Sequence, residues 1–434
     1  MSLAASAALN AQDGTAFGSY SPYSVFGLGD LAVPGTAYNK MMGGTGIADR
    51  NNRVINYLNP AAISARDTLS FMLDFGLNEK NTFYKLPGSS STDVRATQDA
   101  YNVVNMNHLI MSFPIWKNSA FAIGITPLSD VGYGIATRET NDKLVSTVGD
   151  ILYEKDGYGS VYQTFIGAGA TFWKRLSVGA QGMFNFGTIN RLSYIYFNTD
   201  SYQRTVEAGV TSTLRGFSGK FGLQYEQPLG KSHSIIIGGT YQLASNLGGE
   251  VDNLVTAASG STTDTLKYVT TANAGILVPA EIGGGISIRN KTKWTVNLDY
   301  SHQDWSKTTF QATPGIDFAP ARQQSFRFGF EYTPNRYDIR YYSKRITYRA
   351  GAYYTRSYYS IGGNQICASG VTFGVSLPVF RYYNAVQLGM DLGQRGALDS
   401  GFFKDDTGLI REYYLNFHIS FSLHDIWFQK VLYN

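Results

Sequence analysis

The chain has 434 residues, of which 16% are charged and 14% aromatic, and its formal net charge at pH 7 is +4. So small a positive charge does not indicate nucleic-acid binding, and a single cysteine, Cys367, excludes an internal disulfide framework. No stretch approaches the roughly 18 consecutive apolar residues of a membrane helix, which excludes a helical membrane protein. A membrane β-barrel protein is not excluded, because the apolar residues of its strands alternate with polar ones and form no long apolar run.

Residues 1–12, MSLAASAALNAQ, form a largely apolar run that lacks the basic start of a complete signal peptide. We interpret them as the remainder of a secretory signal. The alternative is a disordered N-terminal tail of a cytosolic protein.

Residues 13–67 are rich in proline and glycine, which predicts turns rather than strands. They also carry more apolar side chains than a disordered tail would have. Irregular backbone at membrane depth must be buried in protein or face water. If the strands that follow form a membrane barrel, this segment is predicted to be a plug, or hatch, inside its lumen. The charged residues of this segment are Asp49, Arg50 and Arg53. They are then expected to meet charges of the lumen such as Asp299, Arg327 and Glu331.

The rest of the chain, residues 68–434, shows apolar residues at every second position. In the segment 294–300, Trp294, Val296, Leu298 and Tyr300 alternate with polar residues, as a strand with one oily and one wet face requires. Many segments reach ten residues, long enough to span a bilayer as tilted strands. About 14 strands are predicted: 68–80, 104–116, 119–136, 159–173, 176–196, 211–228, 232–246, 279–290, 292–306, 321–334, 346–360, 366–378, 383–394 and 409–424.

The connections alternate between short and long, as in outer-membrane barrels with short periplasmic turns and longer outer loops. The link 335–345 is the exception, because it is long where a short turn is expected. An even strand number closes an antiparallel ring. The predicted fold is therefore all-β, a transmembrane antiparallel barrel of about 14 strands in the outer membrane of a Gram-negative bacterium, with lipid outside and a polar lumen. The long connections are predicted near 81–104, 137–158, 194–210, 247–277, 306–320 and 394–408.

Several motifs resemble the FadL family of outer-membrane transporters for long-chain fatty acids and other hydrophobic compounds. Asn59-Pro60-Ala61 stands at the end of the plug, directly before the first strand, and MMGGTGIAD at 41–49 is similar to the glycine-rich plug segment of that family. The hairpin at 277–307 is similar to a late hairpin of the family. SPYSVFGLGDL at 21–31 resembles the Bacteroidota members.

The resemblance implies that an apolar ligand is caught among the outer loops, passes between plug and wall, and leaves sideways into the bilayer. In the third predicted strand, Pro127 removes one hydrogen-bond donor from the ladder and Gly132 follows. We therefore hypothesise a lateral gate at 127–132. Its residues would be Pro127, Ser129 and Gly132 on the wall and Asn59, Pro60 and Ala61 on the plug. Alternatively, Pro127 only ends the strand near the rim.

The candidate ligand-binding residues are apolar plug side chains and one lumen cation, namely Phe26, Leu28, Met41, Met42, Leu58 and Arg327. Each apolar residue has simple packing of the plug as its alternative role. Arg327 would bind a carboxylate, or would instead pair with Asp299 or Glu331.

Two other classes of function stay open. A barrel with this resemblance can be an accessory subunit of an outer-membrane protein assembly or type IX secretion complex. His418, Ser420 and His424 near the C terminus raise the possibility of an acyl hydrolase, but an i, i+2 pair on a strand lies about 7 Å apart. We therefore expect no enzyme activity, no cofactor and no metal site. The expected partners are membrane lipids, a hydrophobic small-molecule ligand and a possible outer-membrane protein complex, with no nucleic acid.

Overall fold

The computed structural model describes residues 19–66, 70–86, 97–139, 141–197, 204–259, 262–272, 274–290, 293–310, 318–379, 384–397 and 409–426. The predicted signal remnant, residues 1–12, and the first part of the predicted plug, residues 13–18, lie outside these ranges.

Strands dominate the described part of the chain. They are β1 (Asp30–Leu31), β2 (Ser70–Leu86), β3 (Thr97–Trp116), β4 (Ser119–Arg138), β5 (Ile151–Phe172), β6 (Leu176–Phe197), β7 (Thr205–Leu229), β8 (His233–Gln242), β9 (Ser245–Ser259), β10 (Thr262–Ala272), β11 (Ile276–Val278), β12 (Glu281–Asn290), β13 (Trp294–Asp304), β14 (Phe318–Pro320), β15 (Arg322–Tyr332), β16 (Thr347–Ile361), β17 (Asn364–Pro378), β18 (Ala385–Ala397) and β19 (Arg411–Ile426). The helices are short: α1 (Ala37–Lys40), α2 (Asp142–Val148), α3 (Tyr342–Arg345) and the 3₁₀ turns Pro22–Val25 and Pro60–Ala65. None of these helices is long and apolar enough to cross a membrane.

Antiparallel pairing of neighbouring strands runs from β2 round to β19, and β19 pairs with β2, from Arg411 opposite Lys85 to Ile426 opposite Ser70. The sheet is therefore a closed barrel. Three barrel strands are interrupted: β8 with β9, β10 with β11 and β12, and β14 with β15. Counted in this way, the barrel has fourteen strands, which confirms the predicted fold.

The burial pattern shows which face of the sheet meets lipid. On β13, Asn297 and Asp299 are 1% and 6% exposed, whereas Leu298 and Tyr300 between and beyond them are 55% and 38% exposed. A water-soluble sandwich would bury the apolar side chains and expose the polar ones. A continuous apolar outer surface of this kind needs lipid to cover it. The fold is thus that of integral outer-membrane proteins.

Two regions differ from the expected elements. The predicted long connection 247–277 contains the hairpin of β9 and β10, paired from Ser259 opposite Thr262 to Glu250 opposite Ala272. Its strands carry no clear apolar face, because they extend beyond the barrel wall and β10 is exposed on both faces. Alternation therefore gave no signal there. Several other strands are also longer than predicted, with β7 reaching 25 residues.

The link 335–345 is long, as the sequence indicated, although it joins β15 to β16 at the end of the barrel that carries the short turns. It contains α3, and the Asp338 carboxylate fixes its backbone by accepting from the N–H groups of Arg340 at 3.0 Å and Tyr341 at 2.7 Å. This end is called the short-turn end below, and the opposite end is called the long-loop end.

Candidate functional site

Residues 19–66, called the N-terminal segment below, lie against the inner face of the barrel. Glycines in the wall make room for them: a Cβ on Gly179 or Gly222 would overlap the turn at Pro60, and one on Gly374 would overlap Met41. At Gly179 and Gly222 glycine is needed because the backbone of the segment approaches the backbone of the strands, and at Gly374 the Met41 side chain occupies the space. The abundance of glycine in the sequence thus has a structural cause at these sites.

The Asn59-Pro60-Ala61 motif joins the N-terminal segment to the wall. The Asn59 side chain caps the 3₁₀ turn by accepting from the Ala61 N–H at 3.0 Å, and its amide donates to the Ile47 carbonyl at 2.7 Å. The same amide reaches the Leu223 carbonyl on β7 at 3.2 Å. This motif therefore rests on β6 and β7, whereas Ser129 and Gly132 of the predicted gate have residues 19–31 as their partners.

The ion pairs expected between the segment and the lumen differ from those observed. The Asp299 carboxylate accepts from the backbone N–H groups of Gly46 at 2.6 Å and Ile47 at 2.8 Å. Glu331 pairs with Arg349, its register partner on β16, at 2.9 Å. Arg50 lies 3.8 Å from Glu226 instead. Arg50 thus meets a lumen carboxylate other than Asp299 and Glu331, both of which have closer partners.

A cavity of about 220 Å³ lies between the N-terminal segment and the barrel wall. Its charged lining is balanced, with four carboxylates and four cations besides His418: Asp30, Asp130, Asp391, Glu412, Lys40, Lys80, Arg327 and Arg395. This cavity is called the compensated cavity below, because most of these charges form close ion pairs.

Arg395 is the centre of the main ion-pair cluster of the compensated cavity. It lies 2.7 Å from Asp30 of the segment and 2.7 Å from Glu412 of β19, and Glu412 also accepts from the Ser21 hydroxyl at 2.9 Å. Lys80 pairs with Asp130 at 2.9 Å. Such groups are costly to bury unless they are paired and hydrogen-bonded, so this network fixes the position of residues 21–30.

Lys40, at the end of α1, is buried and donates to the Asn107 side chain on β3. Burial lowers the pKa of its ammonium group to about 7, and the like charge of Lys80 adds to this effect. The carboxylates of Asp130 and Asp391 oppose the shift without cancelling it. The Lys40 amine is therefore only partly protonated near neutral pH.

The barrel wall has an incomplete seam beside this cavity. The β3–β4 ladder runs only from Trp116 opposite Ser119 to Leu109 opposite Ile125. Beyond that point β3 continues along β2, and β4 continues along β5 as far as Arg138 opposite Leu152. Pro127, which has no N–H, lies two residues after Ile125, where the β3–β4 ladder ends. The β4–β5 register shifts between Pro127 and Ser129.

The N-terminal segment covers this seam from inside. Strand β1 pairs with the free edge of β4, with Leu31 opposite Ser129, and Ser21 N–H donates to the Gly132 carbonyl at 2.8 Å. On the other side of the seam the Tyr20 ring stacks on Tyr101 of β3, with centroids 4.5 Å apart. A Cβ on Gly132 would overlap the Ser19 carbonyl, so glycine is required for this close approach.

The five predicted apolar ligand residues are all buried; four of them belong to three separate clusters, and Met41 lies against Gly374 and Gly389. Phe26 and Leu28 pack with Trp305 and Tyr358, Leu58 packs with Ile63 and Phe165, and Met42 packs with Tyr38. Leu28 and Leu58 meet in lining a second cavity of about 120 Å³. Arg327 lines both this cavity and the compensated cavity and lies opposite Asp299 in the β13–β15 register.

The sequence reasoning missed the residues that dominate the compensated cavity, above all Lys40, Asp30, Arg395 and Glu412. A signal was present, because charged residues are scarce in this chain and both Arg395 and Glu412 fall on polar positions of alternating strands. What alternation cannot show is which of the fourteen strands each charge faces across the lumen.

The last strand gives no sign of a nucleophile and base pair. In the described part of the chain, neither the Ser420 hydroxyl nor Nδ1 of His418 has a hydrogen-bond partner, although both side chains are buried. Within the same residues no three His, Cys, Asp or Glu side chains are grouped so that they could hold a metal ion.

Comparison with solved structures shows the same fold in transporters of hydrophobic compounds. The chain matches the Ralstonia pickettii toluene transporter TbuX at 18% identity with a TM-score of 0.56, covering 89% of this chain and 97% of that one. It matches the Pseudomonas putida toluene transporter TodX at 16% identity and 0.56, covering 92% and 99%. A Pseudomonas aeruginosa FadL homologue matches at 12% identity and 0.56, covering 92% and 100%. The expected FadL-type fold is thereby confirmed.

The sequence comparisons identify the family. No curated protein matches the chain in sequence. A family model described as BamG matches residues 1–434, the full length of the chain. The chain therefore belongs to the BamG family.

Proposed function

We propose that this protein passes small hydrophobic molecules across the outer membrane of a Gram-negative bacterium, with residues 13–67 acting as a plug inside the barrel formed by residues 68–434. The single observation that supports this most is the incomplete β3–β4 seam, which adjoins a cavity and, within the described residues, is covered by the N-terminal segment. A molecule in that cavity would reach lipid if residues 19–33 moved away from the free edge of β4.

Lateral exit suits an apolar molecule on energetic grounds. Each CH₂ group kept out of water is worth about 0.8 kcal/mol, so release into the bilayer is favoured over release through a watery lumen. The cavity is nevertheless lined by ion pairs as well as by Leu31, Met106 and Tyr358. We therefore infer an amphiphilic ligand, such as a fatty acid with one polar end, rather than a pure hydrocarbon. The long-loop end is its proposed side of entry.

The test is a disulfide that locks the segment onto the seam. Ala32 N–H donates to the Leu128 carbonyl, which makes Leu31 and Ser129 the adjacent pair without ladder hydrogen bonds, where side chains are closest. In a Cys367→Ser background, Leu31→Cys with Ser129→Cys should block uptake of labelled oleate when oxidised, and a reducing agent should restore it.

The matched control is Ala168→Cys with Ala180→Cys, a lipid-facing pair on the fully paired β5–β6 ladder. Oxidation of this pair should leave uptake unchanged. Uptake that continues at full rate through the locked Leu31–Ser129 pair would exclude lateral exit at this seam.

A second function is favoured by a different observation. The segment is tied to the wall by the buried Asp30–Arg395 ion pair and the Ser21–Glu412 hydrogen bond, as a static scaffold element would be. The protein would then be an accessory subunit of an outer-membrane protein assembly, in line with the second possibility raised by its sequence. Native mass spectrometry of the protein extracted from its own membrane distinguishes the two: a bound species of a few hundred daltons supports transport, and stoichiometric protein partners on an empty barrel support the subunit.

A further inference from the structure

The short-turn end of the lumen opens into two adjoining cavities of about 620 Å³ and 240 Å³, which share Asn51, Glu331 and Arg336. Together they are called the basic mouth below. The larger cavity is lined by turn residues such as Asn118 and Lys174, which places it at the aqueous end of the barrel.

The basic mouth carries a large excess of positive charge. Six cationic side chains line the larger cavity and three more line the smaller one, against three carboxylates in all. The carboxylates, Asp49, Glu226 and Glu331, are buried or nearly so, and two of them already belong to close ion pairs within the lining. The compensated cavity, by contrast, has equal numbers of carboxylates and cations.

One of these cations, Arg349, has a buried N–H donor group without a hydrogen-bond partner among the described residues. Arg349 is 6% exposed, and its Nε donates to Glu331 at 2.9 Å while its guanidinium lies over the Tyr38 ring. Its Nη1 is buried and has no hydrogen-bond partner among the described residues. Burial, and after it the like charge of Arg53, lowers the pKa of Arg336. Like charges placed this closely favour an anion between them.

The link between β15 and β16 forms an apolar rim beside the basic mouth. Tyr337 lines the smaller cavity and is 75% exposed, and Ile339 is 99% exposed on a backbone fixed by Asp338. The Tyr342 hydroxyl donates to the Pro378 carbonyl at 3.0 Å, which holds α3 at the end of β17. Tyr337 and Ile339 thus place two exposed apolar side chains beside the cations of the basic mouth.

The wall around this mouth is closed to lipid. The ladders at this end are complete, from Asn290 opposite Trp294 through Trp294 opposite Tyr332 to Tyr332 opposite Tyr348. A lipid headgroup in the surrounding leaflet has no sideways route to Arg349. A ligand must therefore arrive from the aqueous compartment along the barrel axis.

From this charge complementarity we propose that the basic mouth binds an acidic, extended segment of a soluble partner protein, whose carboxylates enter the two cavities and whose apolar residues rest on Tyr337 and Ile339. This interaction is independent of the proposed transport function. It uses residues at the opposite end of the lumen from the residues that cover the seam.

The test measures binding of a fluorescein-labelled octaglutamate peptide to the full-length barrel in neutral detergent at low salt, with octalysine as the reverse-charge probe. Lys293→Glu with Arg345→Glu changes two mouth residues outside the barrel strands, so the fold is expected to persist. Affinity for octaglutamate should fall by about tenfold or more. Octalysine should not bind to the unaltered protein.

The matched control is Lys143→Glu with Lys267→Glu, two exposed cations at the long-loop end that give the same change in net charge. It should retain most of the affinity. Equal losses in the two double variants, or no binding of octaglutamate to the unaltered protein, would overturn the proposal. It would also be overturned if the mouth variant changed only the binding of phosphatidylglycerol vesicles, because a membrane lipid would then be the ligand.

Discussion

The two ends of the lumen handle charge in opposite ways. In the compensated cavity, beside the open β3–β4 seam, Arg395 bridges Asp30 and Glu412 and Lys80 pairs with Asp130. In the basic mouth, beside a complete wall, nine cations face three carboxylates, counted over both cavities. Paired buried charges fix internal structure, whereas excess charge at an aqueous opening favours a partner from outside. The comparison separates a cavity whose charges are mostly paired within the protein from one that keeps an excess of positive charge.

The largest expected effect comes from removing the central cation of the compensated cavity. Arg395→Met leaves Asp30 and Glu412 buried with no cation between them. Breaking a buried pair in this way costs about 3–5 kcal/mol of unfolding free energy. Urea unfolding in detergent measures the loss, and a change below about 1 kcal/mol would show that the network does not hold the segment.

The next effect is a pH dependence that belongs to Lys40. Its pKa is about 7 in the folded protein against 10.5 ordinarily, so between these values the unfolded chain binds more protons. The unfolding free energy should therefore rise with pH above about 7, by at most about 1.4 kcal/mol per pH unit, and below that Lys40 should add no further pH dependence.

Lys40→Met should abolish this rise while leaving the protein folded. Unfolding titrations at pH 7 and pH 9 on both proteins measure the difference. A rise of the same size in the variant would assign the pH dependence to other groups.

A smaller effect is expected at the seam itself. Gly132→Val places a side chain where the Ser19 carbonyl lies and should cost about 1–3 kcal/mol, because the segment must leave the edge of β4. Amide hydrogen exchange at residues 21–32 should speed up. Gly284→Val is the control, since a Cβ there meets no atom within 4 Å. Unchanged exchange in the Gly132 variant would mean that the segment does not depend on this contact.

The smallest effect is expected at the basic mouth. Lys293→Met removes one cation from a region that already has too many, so the unfolding free energy should change by less than about 0.5 kcal/mol. Arg395→Met removes the same charge from an ion-paired position. The difference between the two variants in unfolding free energy therefore measures what ion pairing contributes to stability. A loss of several kcal/mol from Lys293→Met would mean that the two ends do not differ as described.

The alternation of residues predicted the barrel because one face of each strand meets lipid and the other does not. On β13 and β15 the exposed positions, including Leu298 and Phe328, are those that the two-residue period assigned to the outside. The β9–β10 hairpin escaped this reasoning because β10 is exposed along its whole length, so no buried face marks it.

The candidate site was less predictable. Pro127 pointed to the disturbed ladder, since the loss of an N–H is a local property of the chain. The partner of the seam was beyond sequence reasoning: Leu31 meets Ser129 only because the segment folds back through the lumen. For the same reason the sequence does not show that Asn59, a predicted gate residue, hydrogen-bonds to Leu223 on β7. Contacts across the lumen leave no periodic pattern in a single sequence.

The Ser21–Glu412 hydrogen bond has a consequence for the order of assembly. It joins residues 391 positions apart, and Glu412 belongs to the strand that closes the ring against β2. Residues 19–66 are synthesised before the barrel strands, yet the wall around them is complete only when β19 pairs with β2. Contacts of such sequence separation form late and slowly. The hydrogen bond that ties Ser21 to Glu412 can therefore form only once the closing strand is present, which makes it one of the last contacts to be completed.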